Sequence, residues 1–197
     1  MEDDEEVRLF LLDPIAESDE YERVTNQFLL TLPNVNILKV ERIQNKILWK
    51  RYHNRSQMMR NYDRSHLREE LLFHGTRGNK PELIYKGGEG FDMRFSASGM
   101  WGRGNYFAVN SCYSNGYVFS TGGVRKMFAA WVLTGNSVFL PSDGSLTKPP
   151  FVSGSGSSST SIQRRYDSVS GTTGGTRVYI TYDNDHAYPA YLITYTN

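Results

Sequence analysis

The sequence predicts an α+β domain, helices first and strands after, and three observations carry that expectation. Helical spacing of apolar residues runs from Ser18 to about Leu48. Short runs rich in Val, Thr, Tyr and Phe follow residue 70, separated by Gly, Ser and Asn clusters. The length of 197 residues, with 39% hydrophobic and 22% charged side chains, suits one globular unit with room for a core.

Residues 1–16 read as an acidic flexible leader with a short apolar patch, Leu9-Phe10-Leu11-Leu12. From Ser18, a suitable N-cap, Tyr21, Val24, Phe28 and Leu29 recur at i, i+3, i+7 and i+8, and Pro33 closes the helix. A second helix is expected from about Val40, with Val40, Ile43, Ile47 and Leu48 on one face and Arg42, Asn45 and Lys46 on the other. Leu71–His74, Tyr106–Val109, Phe128–Leu133, Val178–Tyr182 and Tyr191–Tyr195 then read as strands, mostly antiparallel. Residues 153–161, all Ser, Gly and Thr, predict a flexible loop, and residues 170–176 a second polar connection. There is no internal repeat.

Composition removes several classes of function. A single cysteine, Cys112, excludes a disulfide framework and a Cys-based zinc finger. No apolar run nears the roughly 20 residues of a membrane helix. The acidic start, Met1-Glu2-Asp3-Asp4-Glu5-Glu6, is the opposite of a secretory signal. A nuclear or cytoplasmic location without membrane partners is therefore expected. The net charge of +1 hides an asymmetry: residues 1–22 hold ten acids and one base, and the rest of the chain is correspondingly basic. An acidic arm on a basic body suits an anionic ligand such as a nucleotide. Residues 39–68 carry nine basic side chains against Glu41 and Asp63, which is a solvated helix face or, less commonly, a nucleic-acid surface.

The histidines, His53, His66, His74 and His186, lack i, i+4 spacing with an acid, so no metal is indicated. His74 ends the run Leu71-Leu72-Phe73 and is followed by Gly75-Thr76. A polar group at a strand end beside a bare backbone can present itself to a ligand, or merely cap the strand. The Gly102-x-Gly104 of the segment Gly99–Ala108 is weak evidence for phosphate binding, lacking both a P-loop Lys and a third glycine. Tyr106, Tyr113, Ser114 and Tyr117 lie within twelve residues, and such a group can sandwich a planar ring or simply pack on a sheet.

Together, Phe73-His74-Gly75-Thr76, Gly104-Asn105-Tyr106-Phe107-Ala108, Tyr113-Ser114 and Tyr117 resemble the catalytic domain of the poly(ADP-ribose) polymerase superfamily, the diphtheria-toxin-like branch of ADP-ribosyltransferases. Glu41–Asn45 with Leu48-Trp49, Val132–Gly135, Tyr166–Val169 and Ala187–Ile193 extend the resemblance, in order, over about residues 20–197. It implies an ADP-ribosyltransferase fold over 17–197, with two packed, mainly antiparallel sheets, flanking helices and N-terminal helices before the sheets. It also implies NAD⁺ as co-substrate, no metal, and protein acceptors as partners.

By the same resemblance, His74 anchors a ribose hydroxyl, and Gly75 and Ser114 meet the nicotinamide carboxamide. Tyr106 and Tyr117 stack on the ring, and Tyr113 completes the cofactor-binding set. His74 and Tyr106 carry the catalytic roles, Arg94–Met100 forms a flexible loop over the cofactor, and Tyr166–Val169 forms a loop bordering the acceptor site. Chain-extending members place a glutamate five residues before an aspartate on the late strand. Spacing from Asp183 puts Val178 there, or Arg177 after a one-residue slip, and neither supplies the carboxylate. The resemblance therefore implies transfer of a single ADP-ribose unit. A catalytically silent NAD⁺-binding module is the alternative, and a nucleic-acid acceptor is the weaker choice beside protein.

Overall fold

Period-two alternation, more than any helical period, organises the chain. The computed structural model describes residues 7–62, 67–153 and 163–197. Its first half runs β1 (Val7–Leu11), α1 (Ser18–Leu29), β2 (Asn36–Asn45), α2 (Lys46–Tyr62), β3 (Glu69–His74) and α3 (Glu82–Tyr85). Two short strands, β4 (Ser98–Gly99) and β5 (Gly102–Arg103), precede β6 (Asn105–Ala108) and α4 (Ser111–Asn115). Then come β7 (Phe119–Thr121), β8 (Val124–Leu133), β9 (Ser137–Phe139), β10 (Ser168–Thr173), β11 (Thr176–Thr181) and β12 (Ala187–Thr196).

Ten strands share one hydrogen-bonded path, β1-β2-β12-β8-β3-β6-β11-β10-β9 with β7 on β8, and β4 pairs with β5 separately. Among the described pairings only β9 with β10 is parallel. The path is weakest at β3–β6, joined by the single pair Phe73↔Ala108, whereas β3 meets β8 from Glu69 to His74. Ile43, Leu72, Phe128 and Leu192 on one side of that junction cluster with Phe107 and Tyr179 on the other. The opposite residues of the same strands, Phe73, Met127, Ala129, Tyr191 and Ile193, pack under Val24 and Phe28 of α1 and under Leu48, Tyr52 and Met59 of α2. A strand buried on both faces must be apolar at consecutive positions, as Leu71-Leu72-Phe73 and Phe128–Leu133 are.

The α+β class and the five strands read from the sequence hold, but four local expectations are corrected. The helix placed from Val40 begins only at Lys46. Residues 36–45 are instead a strand paired with both β1 and β12. Two partner strands outweigh helical spacing that is equally compatible with a central strand. Asn45 marks the change: its Oδ1 accepts from the backbone N–H of Ile47 and of Leu48, both at 3.0 Å, as a helix N-cap does. Helices therefore do not simply precede the sheet, because β1 and β2 belong to it.

The expected flexible leader is structured from residue 7. β1 pairs along its length with β2, and Leu12 is 2% exposed beneath a Leu12 N–H to Val40 carbonyl bond of 2.9 Å. The apolar patch is thus an edge strand and its anchor. The polar connection at 170–176 is a hairpin. Ser168–Thr173 pairs with β11, and only Gly174-Gly175 turns, at φ of 53° and 73°. Both central residues of such a two-residue turn need positive φ, which glycine alone adopts freely. Ser18 is the first helical residue, with Glu17 at the N-cap. Residues 1–6, His66 and residues 154–161 of the Ser/Gly-rich segment lie outside the described residues.

Candidate active site

A cleft of about 590 Å³ opens at the end of β3, and its lining includes His74, Gly75, Tyr106, Tyr113, Ser114 and Tyr117. All six residues singled out in the sequence share this one cavity.

His74 is the last residue of β3, with its ring enclosed by Phe91 and Phe107 at centroid distances of 5.0 and 5.3 Å. Its Nδ1 lies 2.8 Å from the Tyr106 carbonyl oxygen. A carbonyl can only accept, so Nδ1 carries the proton and donates it, leaving Nε2 as an acceptor. Burial holds the imidazole pKa below its ordinary value, only partly opposed by the Tyr106 carbonyl. The ring is accordingly neutral at physiological pH, with its tautomer fixed by the backbone of a neighbouring strand.

Tyr106 offers its ring rather than its hydroxyl. The Oη donates to the Gly102 carbonyl at 2.7 Å and accepts from Trp101 N–H at 2.8 Å. That pair of bonds latches the β4–β5 turn over the cleft. Tyr182 Oη adds a bond to the Trp101 carbonyl at 2.7 Å, and the indole Nε1–H reaches the Leu140 carbonyl at 3.0 Å. The loop expected at 94–100 is pinned from below as well: Arg103 donates to the carbonyls of Ser96 and Arg94, and Ser96 Oγ bonds Asn105 Oδ1 at 2.7 Å.

The opposite wall comes from α4 and its exit. Ser114, 4% exposed, donates Oγ–H to the Phe73 carbonyl at 3.0 Å and keeps its lone pairs for an incoming N–H. Tyr113 and Tyr117 stand 5.3 Å apart, and Arg77 lies 4.7 Å over the Tyr117 ring, covering one face. Gly75 makes the wall possible: a Cβ there would meet the Tyr117 carbonyl 2.5 Å away and the Ser114 oxygen at 2.8 Å. Any side chain at residue 75 would push α4 off the end of β3.

The described lining holds one carboxylate, Asp92, and it is committed. Arg94 grips both its oxygens and holds its pKa below the usual range. Val178 lines the cleft, 0% exposed and opposite Ala108. Arg177 points the other way, its guanidinium 5.3 Å from the Phe139 ring and bonded to Ser170 Oγ at 3.1 Å. Of the two candidates for that strand position, Val178 is the one facing the cavity. Sequence reading missed the clamps on these groups, namely Phe91, Asn105, Trp101 and Tyr182; of these only Trp101 and Asn105 lie inside the noticed segment Gly99–Ala108.

Such a site can orient a planar ring and a hydroxyl-bearing sugar, but its described residues include no pair of carboxylates for acid–base work. Among the described residues no group of three or more His, Cys, Asp or Glu could hold a metal ion, and no helix is long and apolar enough to cross a membrane.

Comparison with known proteins points the same way. Residues 18–197 match the family model for the poly(ADP-ribose) polymerase catalytic domain. A probable poly [ADP-ribose] polymerase of Dictyostelium discoideum is 39% identical over 96% of this chain and 53% of its own length. The mouse protein mono-ADP-ribosyltransferase PARP12 is 33% identical over 92% of this chain and 24% of its own. The human protein mono-ADP-ribosyltransferase PARP11 is 28% identical over 91% and 57%. The chain thus spans about half or less of the length of these relatives.

Proposed function

Because the chain belongs to the poly(ADP-ribose) polymerase catalytic-domain family, we propose that it is a mono-ADP-ribosyltransferase acting on protein acceptors. The reaction breaks the nicotinamide–ribose bond of NAD⁺ and joins the ribose carbon to an acceptor nucleophile. It releases neutral nicotinamide and the acceptor's proton. The leaving group departs uncharged, so no general acid is required, and orientation and electrostatics supply the rate.

The observation that carries the single-unit reading is Val178. An apolar side chain stands where chain extension needs an anion to polarise a second ribose hydroxyl, and Asp92, the only carboxylate among the described cleft residues, is held by Arg94. His74 Nε2 accepts from a ribose hydroxyl of the substrate. Ser114 accepts from the carboxamide N–H₂, and the backbone of Gly75 meets the same amide. The nicotinamide lies between Tyr106 and the face of Tyr117 that Arg77 leaves open, with Tyr113 behind it.

The same absence of an acid favours a second reading, a silent NAD⁺-binding module. Incubation with isotope-labelled NAD⁺ and a carrier protein separates them. The expected result is one ADP-ribose per modified site, read by mass spectrometry. A ladder of high-mass product would overturn the single-unit reading, and a thermal shift without transfer would favour the module.

A further inference from the structure

Gly87, Gly88 and Gly90 stand within four residues, so the chain entering the cleft there has little stiffness of its own. What it carries matters to the site. Gly90, Phe91 and Asp92 line the cleft, and Phe91, 2% exposed, meets the rings of His74 and Phe107 edge-on, each at 5.0 Å. A short 3₁₀ turn, Met93–Phe95, follows, capped by Asp92 Oδ1, which accepts from Arg94 N–H at 2.9 Å. A glycine-rich approach of this kind has to be fixed by bonds from other parts of the chain.

Most of those bonds come from outside the cleft. Asn184 opens a 3₁₀ turn, Asn184–His186, between β11 and β12. Its Oδ1 accepts from Met93 N–H at 2.9 Å, and its Nδ2 donates to Glu89 Oε2 at 3.0 Å. A backbone N–H can only donate, so the amide stands one way round. The Asn184 amide, and then Arg51, hold the Glu89 pKa below the ordinary carboxylate range.

Arg51 of α2 closes the clasp. It pairs with Glu89 at 3.0 Å and with Asp185 at 2.7 Å, and its Nη1 also donates to the Gly88 carbonyl. Asn45 Nδ2 reaches the Gly87 carbonyl at 3.3 Å, and from the inner side Asn105 Nδ2 holds the Phe91 carbonyl at 2.6 Å. None of Asn45, Arg51, Glu89, Asn184 and Asp185 lines the cleft. The two Asn184 bonds bracket Phe91, one at residue 89 and the other at residue 93. A backbone swing that carried Phe91 away from His74 would have to break one of them.

We propose that Asn184 is a positioning residue for the cleft. Acting through the Glu89–Met93 segment, and backed by Arg51, it sets the angle at which Phe91 holds the His74 ring. The consequence for turnover rests on the transferase reading of the cleft, whereas the link from Asn184 to the His74 ring does not.

The test exchanges the polarity of one hydrogen bond. Asn184→Asp keeps an acceptor for Met93 N–H but sets a second carboxylate against Glu89, and Glu89→Gln in the same chain supplies the missing donor. Two readouts are taken on the full chain: the imidazole C–H resonances of His74, assigned by their loss in His74→Ala, and kcat and KM for NAD⁺. Asn184→Asp should move the His74 resonances, because their ring-current shift depends on where the Phe91 ring stands. It should also lower kcat about tenfold, with a smaller change in KM and a urea midpoint close to wild type. Glu89→Gln alone should change little, and the double variant should return both readouts towards wild type. His74 resonances that Asn184→Asp leaves in place, or that the double variant does not restore, overturn the proposal, as does an unchanged kcat in an active chain. If the wild-type chain transfers nothing while the resonances still move and return, the positioning role stands and the transferase reading falls. Should Asn184→Asp fail to fold, Arg51→Gln is read in the same way, and unmoved His74 resonances there overturn the proposal.

Discussion

The two faces of β3 put adjacent residues to opposite uses. Phe73 faces α1, where it meets Phe28 edge-on at 5.9 Å, and Phe28 in turn meets Tyr195 at 5.0 Å. His74 faces the cleft, where two phenyl rings and one carbonyl fix its position and its tautomer. On the first face many apolar contacts share the load, and the loss of one ring is a matter of stability. On the second, in the proposed reaction, a single nitrogen has no substitute. Stability and chemistry are thus separated across one pleat, because side chains alternate in direction along a strand.

A pair of substitutions breaks the comparison in two directions. His74→Ala is expected to reduce kcat/KM for transfer at least about 100-fold, since the sugar loses its anchor and the reacting carbon its alignment. Its urea midpoint should move little, and wild-type activity in that variant would remove His74 from the mechanism. Phe28→Ala should do the reverse. Truncating a fully buried ring costs about 3–5 kcal/mol, read as a lower urea midpoint, while the fraction that remains folded keeps its kcat. A large kcat loss there would show that the helix-covered face is coupled to the cleft.

How far the sequence reveals each face follows from the same separation. His74-Gly75, Tyr106 and Tyr113-Ser114 could be picked out because each stands in a short, dense motif, and the cleft collects them all. The clamps could not, because Phe91 and Tyr182 act through space from segments with no motif of their own. Residues 36–45 show the limit for the fold. Their apolar spacing fits helix and strand alike, and only the pairing with β1 and β12 decides. At 170–176 the Ser, Thr and Gly content looks like a loop, yet two adjacent glycines, rather than seven polar residues, make the turn.

The acid limb of stability sharpens the comparison by testing a histidine that is buried for structure rather than chemistry. His186 is 4% exposed and accepts from Arg55 Nε–H at 2.9 Å through Nε2. Burial, and then the Arg55 charge, push its pKa down to about 3. The unfolded chain, with an ordinary imidazole near 6.5, binds a proton that the folded chain refuses. Stability therefore rises with pH across this window and falls as the pH drops from about 6.5 towards 3, by up to one proton's slope. Urea titrations at stepped pH should show that slope, and His186→Phe should flatten it. An unchanged slope in the variant would assign the acid sensitivity to other groups, with the depressed His74 as the first to examine.

The smallest expected effect is the most direct check on the cleft face. Val178→Glu restores a carboxylate at the strand position lining the cavity, yet product length should stay at one unit. The new side chain enters an apolar environment of Trp101, Ala108, Val169 and Ile180. Among the described lining residues the one Lys or Arg is Arg77, which is engaged with the Tyr117 ring. A carboxyl in such surroundings is held protonated, and a neutral carboxylic acid cannot draw a proton from a ribose hydroxyl. Extension also needs a surface shaped for a second ADP-ribose, which one substitution does not build. Gel analysis of labelled product is the measurement. A lengthening ladder from Val178→Glu would mean that the missing anion alone separates single transfer from polymer growth, and that the cleft already accommodates the growing end.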